Sequence, residues 1–312
     1  MLRSRNFSHI KIAKALSKEL NAPIAGNIND YYDIVIAVDS TSDYVKPLAI
    51  AKLKGVLTSA FIHDIRSISH TKIAALDAGT NPLIQRLKRV LSLNIVKHLI
   101  DKALTPSKAS AGNLRTYARI EACIVPLGVD RRIYRPIKLE ERSILGIRFS
   151  KDDRLILTVA TKRHIVRHSL AIFYEVRKEL RNAKLIVRGP CDVIPRGIKD
   201  VLCLPPISEK IMPRLYSVAD VFLYPSLIEG FGLPVLEAMA CGLPVVAYNE
   251  EAVSEVLGDA GILIESGDIK NAAVAVIKAL NNRELYSELG IKRAEKFTWQ
   301  NTATAIRQCL NL

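Results

Sequence analysis

Hydrophobic and polar positions along this chain switch repeatedly between two periods. In HIKIAKALSKEL, Ile10, Ala13, Leu16, Ser17 and Leu20 recur at helical spacing while Lys11, Lys14 and Lys18 take the other face, which predicts an amphipathic surface helix. The run Ile34 to Val38 in YYDIVIAVDS is short, β-branched and closed by Asp39 and Ser40, as a buried parallel strand ending in a loop should be. VLTSAFIHD reads as a second such strand. Helical stretches over residues 71 to 102 follow, then the strand ALTPS, a helix from Lys108 to Tyr117 and the strand CIVPLG.

The alternation pauses in KLEERSILGIRFSKDDR and resumes at RLILTVA, which places a domain boundary near residues 137 to 152. Beyond it the strands LILTVA, KLIVRG, VLCLP, VFLYPS, PVVAY and GILIE are separated by helical segments, among them LAIFYEVRKEL, MPRLYSVA, PVLEAMACG and NAAVAVIKALNN. Strand, crossover and strand in two successive halves predict an α/β protein of two doubly wound, Rossmann-like domains. Ligands are then expected in a cleft at the carboxyl ends of the strands.

Composition narrows the class. With 312 residues, 49% hydrophobic and 24% charged, and with only 15 Gly and 14 Pro, the chain is neither disordered nor low-complexity. No apolar run approaches the 18 or so residues of a spanning helix, and MLRSRNFSHIKIAKAL lacks a signal core, so a cytoplasmic protein is expected. The five cysteines, Cys123, Cys191, Cys203, Cys241 and Cys309, are odd in number and scattered, and read as buried thiols. The net charge of +14 is lopsided: residues 1 to 150 carry 24 Lys/Arg against 12 Asp/Glu, net +12, and residues 151 to 312 carry 21 against 19, net +2. Such a field attracts nucleic acid, anionic membrane or phosphorylated substrates, or is simply a solvated basic surface.

The chemistry concentrates in VFLYPSLIEGFGLPVLEAMACGLPVVAYNE. A strand ends at Pro225-Ser226, a loop holds Glu229, Gly230, Phe231 and Gly232, and Pro234 sits in a first helical turn. Backbone N–H groups of Gly232, Leu233 and their neighbours, with the positive end of the helix dipole, can hold a phosphate without a lysine. Glu229 and Glu237 flank that turn. Glu237 is placed to accept hydrogen bonds from a ribose diol, and Glu229 to face whatever a diphosphate carries. In the plainer reading Glu229 only favours a helix N-terminus and Glu237 is surface, although Val235, Leu236, Ala238, Met239 and Ala240 around Glu237 argue against a solvated face.

These residues resemble the GT-B fold, retaining, nucleotide-sugar-dependent glycosyltransferases of family 4 (glycosyl transferases group 1). EGFGLPVLE is similar to that family's E-x7-E motif, and YPS, EAMACGLPVVA, VADVFLYPS, VPLGVDRRIYRP, ALTPSKAS and KFTW look like its other landmarks, covering roughly residues 9 to 312. The resemblance implies an acceptor-side domain over 1–140, a nucleotide-sugar-binding domain over 141–296 and a C-terminal helix over 297–312 crossing back to the first domain. It assigns Glu237 to the ribose and Glu229 to donor-sugar hydroxyls. Phe231, Gly232 and Leu233 become backbone donors, Gly189 a close approach to the nucleotide, and Ile207, in the segment around Pro206 and Ser208, a neighbour of the base. His63 in FIHD matches the imidazole beside the reacting sugar, although alone it reads as an ordinary histidine.

Two departures stand out. The family's Gly-Arg and Lys-Gly cations are replaced by VATKRHIVRHS, where Lys162, Arg163 and Arg167 supply charge and Arg163 and Arg167 are favoured. The family also begins with a strand and glycine-rich turn ahead of the first helix, whereas this sequence starts almost at that helix, so either a lost first strand or a short substitute around Arg3 to Ser8 is expected. With no Asp-x-Asp triplet, a metal-independent reaction without cofactor is expected, with cations and a helix N-terminus stabilising the leaving diphosphate. The acceptor would be a hydroxyl on a glycan or a lipid-linked molecule, with peripheral contact to anionic membrane through the basic half. A catalytically silent relative acting as a partner subunit is the alternative. An epimerase of the same fold is weaker, and a nucleic-acid-binding protein lacks the motifs.

Overall fold

The computed structural model describes residues 7–23, 33–38, 45–62, 81–195, 197–204 and 207–312. The chain divides into two units, Met1–Gly128 with Phe297–Leu312, and Val129–Lys296.

Unit 1 is built on four parallel strands in the order β1 (Ile34–Val38), β2 (Leu57–Phe61), β3 (Lys102–Thr105), β4 (Ala122–Ile124). Ile34 lies against Leu57, Ser59 against Lys102 and Ala103 against Ala122. The helices Val45–Leu53, Pro82–Leu99 and Lys108–Ala118 lie between successive strands in the chain. Leu48, Ala60, Ile62, Leu93, Val96 and Leu114 form its core. Val45–Leu53 has no one-sided apolar pattern, which is why sequence reading passed over it. Asp101 ties the sheet's lower edge: it accepts from the Thr58 N–H at 2.9 Å and from Lys52 Nζ at 2.8 Å. The Lys52 hydrogen bond, then that from the Thr58 amide, holds its carboxyl down at about 2.

Helix Trp299–Leu310 belongs to unit 1. Thr298 caps it through the Asn301 N–H at 3.1 Å, Thr302 Oγ1 donates to the Pro126 carbonyl at 2.8 Å, and Cys309 is disulfide-bonded to Cys123. A second disulfide joins Cys191 to Cys203 in unit 2. These bonds correct the expectation of five buried thiols, which Cys241 alone meets. Wide spacing in sequence says nothing about separation in space, and the paired Cα atoms are 6.0 and 5.9 Å apart.

Unit 2 carries a six-stranded parallel sheet in the order β12-β11-β10-β7-β8-β9. Its strands are β7 (Arg154–Val159), β8 (Ala183–Arg188), β9 (Val201–Leu204), β10 (Val221–Tyr224), β11 (Val245–Tyr248) and β12 (Ile262–Ile264). The chain runs outward from β7 to β9, then returns to β10 beside β7 and runs outward the other way. That reversal makes the β7/β10 boundary the switch point at which open α/β sheets leave a crevice at their carboxyl ends. The division falls at Gly128/Val129, ahead of the 137–152 stretch, because residues after 129 are tied to unit 2. Tyr134 packs on Tyr216 with centroids 6.2 Å apart, the Ile137 N–H donates to Ser217 Oγ, and Arg214 bonds Ser143, the first residue of the hairpin β5 (Ser143–Ile144) and β6 (Ile147–Arg148).

Asp220, just before β10 and only 4% exposed, is the polar centre of this assembly. It accepts from Arg142 Nη2 at 2.6 Å, Arg283 Nη1 at 2.8 Å and the Leu155 N–H at 2.8 Å. Asp220→Ala should leave two guanidinium groups and a buried amide without this acceptor and cost about 3 kcal/mol of stability. Urea unfolding of the variant checks this; a loss below about 1 kcal/mol would show that the network is not a stabilising one.

Candidate active site

The site is assembled at the carboxyl ends of β7 and β10. β10 is buried throughout, and its last residue, Tyr224, is followed by Pro225, whose missing N–H cannot extend the ladder. The loop that follows folds around Glu229. Tyr224 Oη and Ser226 Oγ both donate to Glu229 Oε1, each at 2.7 Å. Because both bonds fall on one oxygen, the side chain is held in place without using Oε2. Burial, then the charge of Glu229, pushes the Tyr224 phenol well above its ordinary range, so it stays protonated and donates.

The loop backbone is pinned from the β7 side. Lys162 Nζ donates to the Ile228 carbonyl at 2.9 Å, and the buried His164 accepts the Leu227 N–H on Nε2 at 3.3 Å, which requires the neutral ring with its proton on Nδ1. Lys162 sits at the N-cap of helix Arg163–Glu179, so the turn after β7 and the loop after β10 are joined by one ammonium group.

Gly232 ends the loop with φ +99°, a conformation that L side chains rarely adopt, and caps helix Leu233–Ala240, with Pro234 in the first turn. The Val235 and Leu236 N–H groups already bond the Gly232 carbonyl. Those of Gly232 and Leu233 precede the helix ladder, at the positive end of its dipole. One turn further, Glu237 is 7% exposed, and Tyr216 Oη donates to its Oε2 at 2.9 Å. Burial, then Glu237 itself, raises the Tyr216 phenol well above its ordinary range. Phe222 lies between the two tyrosines, edge-on to Tyr216 at 5.7 Å and stacked on Tyr224 at 5.6 Å. Both carboxylates are therefore presented beside one helix N-terminus, each held by its own buried phenol.

The other sequence candidates fall in different places. Phe231 is 5% exposed and packs inward, and Gly232 and Leu233 form the turn just described. Gly189 follows β8, where a Cβ would meet the Ala160 carbonyl at 2.5 Å, so the close approach it permits is to the turn after β7. Ile207 is 9% exposed. Arg163 is turned to Asp192, with Nε at 2.9 Å and Nη2 at 2.7 Å, and Arg167 is exposed on the next turn. Of the three cations Lys162 is thus the one bonded to the Glu229 loop. His63 and Pro206 lie outside the described residues. Among the described residues no group of three or more His, Cys, Asp and Glu stands together as a metal-binding set. Sequence reading missed Tyr216, Tyr224, Ser226 and His164. Tyr224 and Ser226 flank Pro225 in YPS and were legible only as a strand end.

His168, one helical turn after His164, hydrogen-bonds Tyr248 Oη through Nδ1 at 3.0 Å. Burial, with His164 nearby, holds its imidazole below the ordinary range, while burial pushes Tyr248 up to about 12. The folded chain then takes up this proton at lower pH than the unfolded chain. The stability involved is intact above about pH 6.5 and is lost as pH falls below it. Thermal melts at about pH 7.5 and about pH 5.5 should show a drop in Tm that shrinks in His168→Gln; an equal drop in both proteins would assign it to other groups.

The chain is similar to known proteins at two levels, sequence and fold. Residues 148–296 match the family model described as glycosyl transferases group 1. The MMP alpha-(1->4)-mannosyltransferase of Mycolicibacterium hassiacum is 31% identical over 270 residues, covering 82% of this chain and 65% of that protein. The chain spans about two thirds or less of the length of the first curated relatives it matches. In fold, the chain is similar to sucrose-phosphate synthase from Thermosynechococcus elongatus, with a TM-score of 0.72 at 20% identity over 97% of this chain and 79% of that one. It is likewise similar to Anabaena HepE in complex with UDP-glucose, with a TM-score of 0.68 at 16% identity over 96% and 81%. The fold is α/β with parallel sheets in both units, as in these GT-B glycosyltransferases.

Proposed function

We propose, from the match of residues 148–296 to the glycosyl transferases group 1 model, that the protein is a family 4 glycosyltransferase. It moves a hexosyl group from a nucleotide sugar to a hydroxyl acceptor with retention of configuration and without a metal. The observation that carries this reading is the pair Glu229 and Glu237 held on either side of the N-terminus of helix Leu233–Ala240. A nucleoside diphosphate sugar has two diols separated by a dianion, and the site offers two carboxylates separated by a helix N-terminus.

In this reading Glu237 accepts from the ribose hydroxyls and Glu229 from hydroxyls of the transferred sugar. The Gly232 and Leu233 N–H groups face the diphosphate, with Lys162 as the nearby cation. As the bond from the anomeric carbon to the phosphate oxygen breaks, negative charge grows on the departing diphosphate. Fixed dipoles already aimed there stabilise it without reorganising. The acceptor oxygen bonds the anomeric carbon on the face the leaving group vacates, and its proton passes to a leaving phosphate oxygen. Glu229 forms no covalent bond. His63 is proposed to line the reacting sugar, Ile207 to flank the base, and Arg163 and Arg167 to add longer-range positive charge. A glycan or lipid-linked acceptor at an anionic membrane fits the basic first half, and no nucleic-acid partner is required.

Thermal shift against a panel of nucleotide sugars, including UDP-glucose and GDP-mannose, should show one class raising Tm, because a ligand bound only by the native chain stabilises it by mass action. Glu237→Ala should weaken that donor by roughly 10- to 100-fold, the worth of hydrogen bonds to a charged group. Glu229→Ala should cost turnover roughly 100-fold or more. If both variants keep wild-type transfer, the site is elsewhere; if no donor shifts or reacts with a folded protein, the silent-subunit reading takes its place. Turnover should survive EDTA, and activity lost to chelation and restored by magnesium would overturn the metal-independent step.

A further inference from the structure

We propose that the outer face of helix Pro82–Leu99 is a docking surface for an anionic lipid bilayer. The helix has one face that the fold explains: Leu93 and Val96 are 1% and 0% exposed and belong to the core of unit 1. On the opposite face Leu87, Leu91 and Ile95 are 60%, 53% and 49% exposed. They recur every fourth residue, so they form one stripe along the helix. Isolated exposed aliphatic residues are ordinary, but the solvent face of a helix already packed on a core is normally polar, and a continuous apolar stripe there calls for a partner.

Charge identifies the partner. No acidic residue occurs between Asp77 and Asp101, whereas the helix sequence contains Arg86, Lys88, Arg89 and Lys97. An apolar stripe on a basic helix suits an interface where acyl chains lie beneath anionic headgroups. A second copy of the chain fits poorly, since a two-fold contact would set two helices of like charge face to face. A nucleic-acid backbone has no use for three aliphatic side chains, and no Phe, Tyr or Trp stands in this helix to stack on a base. Insertion across the membrane does not apply either: among the described residues no helix is long and apolar enough to span it. The surface lies in unit 1 and the candidate donor site in unit 2, so this proposal stands or falls independently of the reading of that site.

The test is sedimentation of the full-length chain with vesicles of phosphatidylcholine alone and with phosphatidylglycerol added, at low and high salt. The wild type should bind the anionic vesicles about tenfold more than the neutral ones and lose most of that binding in high salt. The combined variant Leu87→Ser, Leu91→Ser, Ile95→Ser should lower binding to anionic vesicles about tenfold with its Tm and donor-induced thermal shift unchanged. Lys88→Glu should reduce the preference for anionic lipid. Equal sedimentation of the wild type and the triple serine variant would overturn the proposal. So would a dimer that the serine variant dissociates while neither protein binds vesicles, which would give the stripe to a second copy. A donor shift that fails in both proteins while vesicle binding behaves as stated would count against the proposed function alone.

Discussion

The candidate site depends on a constraint set by β10: two carboxylates must stay oriented in a largely dry region beside a helix N-terminus. Each is met by a phenol that burial prevents from ionising. Tyr224 ends the strand and serves Glu229; Tyr216, from helix Met212–Val218, serves Glu237; Phe222 fills the space between the rings. A phenol is suited to this because its apolar ring packs in the core while its hydroxyl remains a donor. Lysine in the same position would neutralise the carboxylate and compete with the sugar hydroxyls. With neutral donors on one side, the carboxylate retains acceptor capacity toward a ligand.

The same logic runs through the backbone. The chain reversal between β7 and β10 places two helix starts side by side, and Lys162 and His164 from one turn hold the carbonyl of Ile228 and the amide of Leu227 in the other. Asp220 secures the opposite end of β10 by drawing Arg142, Arg283 and the Leu155 amide together. β10 is thus fixed at its entry by the ion network around the buried Asp220 and at its exit by hydrogen bonds to the loop. Gly232, at the end of that loop, takes a positive φ.

How much of this could be read from the residues differs by feature. The strands of unit 2 were legible because each is a short apolar run between helical periods, and the loop from Glu229 to Gly232 was legible because its residue types have few other uses. The tyrosine partners were not: Tyr216 lies 21 positions before Glu237, and a hydrophobic pattern cannot tell an aromatic core residue from one with a hydroxyl commitment. The structural contacts of the cations could not be told apart in the sequence. Lys162, Arg163 and Arg167 are equivalent in composition, but the helix begins at Arg163, which leaves Lys162 on the turn facing the loop and gives Arg163 to Asp192. The disulfides were invisible for a different reason, since Cys309 reaches Cys123 only because helix Trp299–Leu310 belongs to unit 1.

The uneven charge of the two halves then has a physical meaning. In unit 2 the groups proposed to hold an anion directly are fixed amides, one helix dipole and one lysine, with Arg163 and Arg167 adding charge from further away, so the near-neutral balance of residues 151 to 312 is no obstacle to them. The excess of +12 in residues 1 to 150 acts differently, as a field felt over roughly a Debye length of about 10 Å in 0.1 M salt. A field of that reach suits a surface larger than a single substrate and is weakened by salt, whereas preorganised contacts in a dry site are weakened much less. Ionic strength therefore separates the two kinds of recognition proposed for this chain, one residing in geometry and the other in net charge.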